Sequence, residues 1–173
     1  GALVSGPPVA GASDDRFLKS PLDTGIMAGE WFTLKPDAEM ALDQRLDDAG
    51  SLVVETAPLG EAQDFLGQPV LELEVATQVE VANLCARLVD IHPGGTATRV
   101  TFGVINLAHR NGNAEPYAMP KGRKVRIRLV LDAMGYRFRA GHRIRLSLST
   151  SYWPMVLPPP VDAGVTLDLA SLG

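Results

Sequence analysis

The chain has 173 residues, which is enough for one domain with a hydrophobic core and too few for two ordinary ones. Hydrophobic residues make up 46% of the chain, which excludes intrinsic disorder, and its 17 Gly and 13 Pro residues argue against a helical bundle. The net charge of −4 gives no general case for a nucleic-acid or anionic-membrane partner. A single Cys excludes an internal disulfide, and together with the lack of a visible export signal it favours a cytoplasmic location.

The first part of the chain differs in character from the rest. Residues 1–28 are rich in Gly, Ala, Pro and Asp without sustained periodicity, and they are predicted to form an arm or linker from a preceding domain. Residues 29–173 are predicted to form one β-sandwich domain. Its only helix candidate, residues 36–48, is short and acidic, with Asp37 available as a cap, and is predicted to be one turn or coil.

Alternation of apolar and polar residues predicts strands through the rest of the chain. In residues 69–76, Leu71 and Leu73 face one way and Glu72 and Glu74 face the other, as a half-buried strand requires. The predicted strands are 51–56, 69–76, 83–92, 97–108, 123–131, 136–138, 142–150 and 164–170. Eight or nine strands, each with one polar, solvent-exposed face, must pack their apolar faces together. This predicts an all-β, antiparallel jelly-roll sandwich of two sheets.

No catalytic centre, metal site or cofactor site is predicted. The sequence has no Gly-x-Ser-x-Gly elbow, and His92, His109 and His142 lie beside separate turns without metal-ligand spacing, which favours turn packing. Cys85 lies between apolar neighbours in a strand, as a buried, inert thiol does. The acidic groups lack the spacing of a calcium loop and are predicted to be solvated. They are Asp14 with Asp15, and Asp43, Asp47 and Asp48.

Charge is distributed unevenly along the chain. Residues 121–145 carry nine basic residues against one acid, Asp132. Such a stripe suits a polyanion, but it also suits cross-strand pairing of Glu72 and Glu74 with arginines of strand 123–131 or 142–150. Overall acidity favours pairing over a polyanion site.

Two apolar segments do not fit a central strand. Residues 151–160 contain Pro154 and three consecutive prolines, and residues 25–32 read Gly-Ile-Met-Ala-Gly-Glu-Trp-Phe. Each is expected either to pack within the domain or to form a docking surface.

The sequence resembles the C-terminal non-catalytic domain of the X-prolyl dipeptidyl-peptidase and cocaine-esterase-like serine hydrolases. Six motifs in order carry the resemblance: Asp-Gln-Arg at 43–45, Leu-Val-Val-Glu-Thr-Ala-Pro-Leu at 52–59, Leu-Val-Asp-Ile-His-Pro-Gly-Gly at 88–95, Gly-Val-Ile-Asn-Leu-Ala-His-Arg at 103–110, Ala-Gly-His-Arg-Ile-Arg-Leu at 140–146 and Ser-Thr-Ser-Tyr-Trp-Pro at 149–154. Gly94 stands where the family usually has Asp.

The resemblance implies a galactose-binding-like jelly roll that follows an α/β-hydrolase domain carrying a Ser-Asp-His triad. The whole enzymes remove X-Pro dipeptides or hydrolyse esters and acyl amides, whereas this domain alone is not an enzyme and has the catalytic domain as its partner. It also implies candidate residues for the wall of the substrate pocket or for domain docking: Ile26, Met27, Trp31, Phe32, Tyr152 and Trp153. Polar residues of the motifs are expected to form a structural network: Asp43, Arg45, Asp90, Asn106, His109, Arg110, His142 and Arg143.

Two other functions stay open at this stage. A carbohydrate-binding jelly roll needs exposed aromatic side chains, and the suitable ones are Trp31, Tyr117, Tyr136, Tyr152 and Trp153. A homo-oligomerisation module would use the segment around Trp153 as a self-complementary patch.

Overall fold

The structure is a computed structural model, and it describes residues 13–31, 34 and 36–173. Across these residues the chain forms ten strands and one short helix. The strands are β1 Asp15–Leu18, β2 Leu52–Glu55, β3 Gln63–Gly67, β4 Val70–Thr77, β5 Asn83–Ile91, β6 Ala97–Asn106, β7 Val125–Val130, β8 Met134–Phe138, β9 Arg143–Ser149 and β10 Val165–Asp168. The helix is α1, Arg45–Ala49, and two 3₁₀ turns cover Leu107–His109 and Leu169–Ser171.

Two four-stranded antiparallel sheets make the sandwich. One has the strand order β1-β10-β4-β7 and the other β2-β9-β5-β6, while β3 and β8 form a separate two-stranded antiparallel sheet. The predicted all-β sandwich is therefore confirmed; its finer assignment as galactose-binding-like stays a prediction.

The core lies between the two sheets, as the alternation of apolar and polar residues predicts. Leu71, Leu73 and Val75 of β4 are buried against Leu146 and Leu148 of β9 and their neighbours. On the outer face of β4 and β7, Glu72 lies opposite Arg128 and Glu74 opposite Arg126. Arg126 also binds the Glu72 carboxylate at 2.9 Å. The basic stripe is thus partly neutralised by the predicted cross-strand pairing.

The described part of the predicted arm or linker, residues 1–28, contributes a strand to the sandwich. Strand β1 pairs along its length with β10, so residues 15–18 are an edge strand of the first sheet. Only Leu18 of this strand is buried. The strand is held by backbone hydrogen bonds, so its sequence shows no alternation of apolar and polar residues from which it could be predicted.

Strand β3 was also missed, because all five of its residues are exposed and show no buried face. The helix lies later than predicted, at Arg45–Ala49. Asp37 does not cap it, since the N-cap position is Gln44, whose side chain makes no capping bond. No helix among the described residues is long and apolar enough to cross a bilayer.

The outer face of the second sheet is covered, contrary to the prediction of one wet face per strand. Ser147 and Ser149 of β9 are buried, as are Arg87 and Cys85 of β5. Residues 19–50, described except for positions 32, 33 and 35, run over this face, and we call them the covering segment. Asp47 and Asp48, predicted to be solvated, are buried on the side of this segment that faces the sheet, where they pair with Arg87 and Arg145.

The edge strand β1 is tied to the sandwich through Asp168. This carboxylate accepts hydrogen bonds from the Lys124 ammonium at 2.7 Å and from the Asp14 backbone N–H at 2.9 Å. Lys124 also binds Asp15 at 2.6 Å. The hydrogen bond from Lys124 is the main reason that the pKa of Asp168 falls to about 2.

Replacing Lys124 by Met tests this tie. Because the folded-state pKa of Asp168 lies below its unfolded value of about 3.9, the stabilisation is complete above about pH 4 and is lost as the pH falls toward 2. We expect Lys124→Met to lower the free energy of unfolding at pH 7 by about 1 kcal/mol, and the difference from wild type to shrink below pH 4. Denaturant unfolding at several pH values measures both.

The control is Lys121→Met, which removes only an exposed pair with Glu80 at 3.4 Å. Equal losses in the two variants, or a loss at Lys124 that does not depend on pH, would contradict the prediction.

Candidate functional site

A buried guanidinium anchors the covering segment to the second sheet. Arg87 of β5 has 0% of its side chain exposed. It donates to the Gln44 side-chain oxygen at 3.2 Å and to the Ser51 hydroxyl at 2.6 Å. Its two terminal nitrogens lie 3.7 Å from the Asp47 carboxylate and 3.4 Å from the Asp48 carboxylate. A charge so deeply buried needs such partners, which fixes α1 on the sheet.

The partners of Arg87 in turn hold the first half of the covering segment. The Asp47 carboxylate accepts the backbone N–H groups of Gly25 at 2.9 Å and Met27 at 3.1 Å. The Gln44 side-chain amide donates to the carbonyls of Met27 at 2.9 Å and Leu42 at 2.8 Å. Arg87 therefore positions the backbone of residues 25–27 through the side chains of Asp47 and Gln44.

Residues 27–31 and 36–42 form two arms that pair with each other. The Leu42 N–H donates to the Met27 carbonyl at 3.0 Å, and the Glu30 N–H donates to the Glu39 carbonyl at 2.8 Å. Gly29 has φ of +71°, and a Cβ there would lie 2.6 Å from the Glu39 oxygen. Only glycine allows the two arms to approach so closely.

The two apolar segments singled out in the sequence pack on each other. The Trp153 N–H donates to the Thr24 carbonyl at 2.8 Å. Gly25 has φ of +116°, and a Cβ on it would lie 2.5 Å from the Trp153 carbonyl oxygen. The backbone of Gly25 therefore fills the contact, and the segment 151–160 becomes part of the same surface.

The covering segment and residues 151–160 expose many large apolar side chains, and we call these side chains together the apolar face. Trp31, 61% exposed, packs edge-on against the ring of Phe102 with centroids 5.3 Å apart. Ile26 and Leu46 border one depression in the surface. The exposed members of the face are Leu22, Ile26, Trp31, Leu34, Met40, Leu42, Leu46, Trp153 and Leu157.

The structure separates the predicted wall residues. Ile26, Trp31 and Trp153 are exposed on the apolar face, and Met27 is half-buried beside them. Tyr152 is only 1% exposed and packs beneath the face against Phe102, so it is not a wall residue. Its placement follows from its hydroxyl, which accepts a hydrogen bond from Arg99. Phe32 lies outside the described residues.

A second group of polar side chains gathers at the end of β5. The His142 Nδ1 lies 2.8 Å from the Asp90 Oδ1, and the Tyr136 hydroxyl donates to the Asp90 Oδ2 at 2.9 Å. His92 lies on the other side, with its ring centroid 4.6 Å from that of His142. The sequence spacing does not show that His92 and His142 meet; the pairing of Ile91 with Arg143 brings their strands together.

Tyr136, His142 and Asp90 supply a hydroxyl, an imidazole and a carboxylate, but their hydrogen bonds do not connect them in the order of a catalytic triad. In a triad the imidazole bonds the carboxylate through one nitrogen and the nucleophile through the other. Here the Tyr136 hydroxyl bonds the carboxylate itself. Burial, followed by the bond to Asp90, raises the pKa of Tyr136 to about 12, so the phenol stays protonated. Within the described residues, no Ser or Thr hydroxyl hydrogen-bonds His142.

Three of the other predicted polar residues make hydrogen bonds within their own turns, whereas Arg143 bonds the residue that follows β2. The Asn106 side chain accepts the Ala108 N–H at 3.0 Å, and Arg110 donates to the Leu107 carbonyl at 3.1 Å. Arg143 donates to the Thr56 carbonyl at 3.3 Å, while His109 faces the Gly112 carbonyl at 3.4 Å on the surface.

Asp43 and Arg45 pair with each other on the surface. The Arg45 guanidinium binds both Asp43 carboxylate oxygens, and its hydrogen bond is the main cause that lowers the pKa of Asp43. In the Asp-Gln-Arg motif, the structurally decisive residue is therefore the middle one, Gln44.

Cys85 behaves as predicted. It is buried, and burial raises the pKa of its thiol to about 12, so the thiolate nucleophile is not populated at neutral pH.

Comparison with known proteins places this arrangement in a family. The sequence model of the X-Pro dipeptidyl-peptidase C-terminal non-catalytic domain matches residues 12–172. The chain belongs to this family. Among curated proteins it is similar to cocaine esterase from Rhodococcus sp. (strain MB1 Bresler), at 25% identity over 144 residues that cover 82% of this chain and 25% of that protein.

Solved structures share the fold of this X-Pro dipeptidyl-peptidase C-terminal domain. An α-amino acid ester hydrolase superposes with a TM-score of 0.76 at 20% identity, covering 98% of this chain and 33% of that one. An aminopeptidase from a marine sediment archaeon, Thaumarchaeota archaeon, gives 0.75 at 20% identity, covering 95% and 32%. The chain thus spans about a quarter to a third of the length of these proteins.

The anchoring role of Arg87 predicts a large loss on its removal. Arg87→Met leaves the buried Asp47 and Asp48 without their shared cation, and we expect the free energy of unfolding to fall by about 3 to 5 kcal/mol. Denaturant unfolding of the purified chain measures it. Arg126→Met, which removes an exposed cross-strand pair, is the control and is expected to cost at most about 1 kcal/mol. Similar losses in both would contradict the anchoring role.

Proposed function

We propose that this chain is the accessory domain of a larger serine hydrolase, and that it docks on an α/β-hydrolase catalytic domain through the apolar face. In this role Ile26, Met27 and Trp31 form part of the wall of the substrate pocket. The domain contributes shape and position, and the residues that carry out the chemistry belong to the catalytic domain.

The observation that carries the proposal is the apolar face itself. Large apolar side chains stand exposed on a segment whose backbone is fixed from below by the Arg87 network. Exposed apolar patches of this kind mark interaction surfaces, because leaving them in water costs about 25 cal/mol per Å². A face that is both apolar and fixed suits a permanent neighbour in the same protein.

The relatives support the type of partner. The curated and solved proteins are named an esterase, an amino acid ester hydrolase and an aminopeptidase, and each is three to four times as long as the part that this chain matches. Esters and amides share acyl-transfer chemistry, in which an activated serine attacks the carbonyl and backbone donors stabilise the oxyanion. We infer a parent enzyme of this class, with X-Pro peptides, esters or acyl amides as substrates.

Rigidity is what such a domain adds to catalysis. A displacement of about 1 Å near a reacting centre costs on the order of 100-fold in rate. Trp31 is held against Phe102 and its loop is closed by backbone hydrogen bonds, so the pocket wall would keep its shape while substrates enter.

The other open functions gain less support. Of the five aromatic side chains that a glycan site would use, Tyr152 is buried and the Tyr136 hydroxyl is bound to Asp90.

Two experiments test the proposal. The first assays the 173-residue chain alone, and the second compares variants of the full-length hydrolase with its wild type. The chain alone is expected to hydrolyse neither X-Pro-p-nitroanilides nor simple esters; turnover that a serine-directed reagent blocks would contradict the proposal. In the full-length protein, Trp31→Ser and Ile26→Ser are expected to lower kcat/KM about tenfold or more.

The matched control is Leu66→Ser, which removes an apolar side chain that is 93% exposed on the β3–β8 sheet and is expected to leave kcat/KM within about twofold. Unchanged kcat/KM in the Trp31 and Ile26 variants, or self-association of the full-length protein through this face in sedimentation, would contradict the docking role.

A further inference from the structure

The group at the end of β5 has features that the proposed function does not use. Asp90 and His92 are two residues apart on and just after β5, and His142 comes directly before β9. These two strands are paired, with Ile91 opposite Arg143, so the three side chains meet at one end of the second sheet. If the three residues only packed turns, the ring nitrogens of the histidines and the carboxylate oxygens of Asp90 would not need to lie close to one another.

The donor atoms of these three residues do converge. The His142 Nδ1 lies 2.8 Å from the Asp90 Oδ1, and the His92 Nε2 lies 3.8 Å from the Asp90 Oδ2. One ligand atom from each residue lies within 4.8 Å of the others. Ligands bound tetrahedrally at about 2.1 Å from a metal are about 3.4 Å apart, so small side-chain rotations bring all three atoms to that spacing.

The surroundings suit a bound ion. Asp90 and His142 are buried at the base of the group, whereas the His92 side chain is 41% exposed and leaves one side open to water. The Tyr136 hydroxyl orients the carboxylate from behind, as outer-shell partners of metal ligands do. The Thr98 hydroxyl lies 3.1 Å from the same His92 Nε2, so coordination of an ion by this nitrogen would replace the contact with Thr98.

We propose that Asp90, His92 and His142 form a binding site for a divalent transition-metal ion of the Zn²⁺ class. Two imidazole nitrogens and one carboxylate oxygen favour such ions over Ca²⁺ or Mg²⁺, which prefer sets made entirely of oxygen. Water completes the coordination on the open side. The site would join the turn after β5 to the start of β9, and binding to the folded state alone would raise stability by mass action.

Zn²⁺ alone is the probe, titrated into the metal-free 173-residue chain by calorimetry in a non-chelating buffer. We expect one ion per chain with a dissociation constant in the micromolar range, and a rise in the thermal midpoint when Zn²⁺ is in excess. Co²⁺ titration adds a spectroscopic readout, since visible bands of a tetrahedral or five-coordinate site report nitrogen and oxygen ligands directly.

His92→Ala is the decisive variant, because His92 is partly exposed and its loss leaves the Asp90–His142 and Asp90–Tyr136 bonds in place. We expect it to weaken Zn²⁺ binding at least tenfold. His109→Ala removes the remaining histidine, which lies outside the group, and is expected to bind Zn²⁺ like wild type. Absence of binding to the wild-type chain below millimolar Zn²⁺, or equal affinity in wild type and His92→Ala, would overturn the proposal.

Discussion

The fold and the candidate site both depend on the burial of the Arg87 guanidinium. A cation placed on a central strand and removed from water must be neutralised, and here the neutralising groups come from outside the sheet, on α1. The covering segment therefore lies on the second sheet for an electrostatic reason and not only for a hydrophobic one. Arg145 adds to this by binding Asp48 at 2.7 Å and Glu55 at 2.9 Å.

This arrangement explains how an exposed apolar face exists on a stable domain. Apolar side chains on a free loop would collapse onto the nearest apolar surface, whereas here the backbone of residues 25–27 is held by the carboxylate and amide of Asp47 and Gln44. The side chains above it are consequently presented outward at fixed positions. Because residues 25–27 are already ordered when the domain folds, the proposed docking would require little further loss of conformational entropy.

Parts of this structure could be predicted from the sequence because they follow from alternation. The strands that line the core, such as β4 and β7, repeat apolar residues at every second position, and the Glu72–Arg128 pairing follows from the same register. Strands β1 and β3 could not be found this way, since their stability comes from backbone pairing at a sheet edge and in a two-stranded sheet.

The buried charges were misjudged for a related reason. Asp47 and Asp48 look like solvated acids until Arg87 is known to lie beneath them, and that contact joins residues about 40 positions apart. His92 and His142 likewise meet only through strand pairing. One available signal was the arginine inside the otherwise apolar strand 83–91, since a buried charge requires a partner.

Hydrogen exchange of the 173-residue chain, compared with that of the full-length protein, tests the central claim most directly, because the proposed docking would change the solvent access of one face only. The account predicts slower exchange in the full-length protein for peptides covering residues 22–42 and 152–157, and unchanged exchange for the β3–β8 sheet. Identical exchange of residues 22–42 in the two proteins would contradict it.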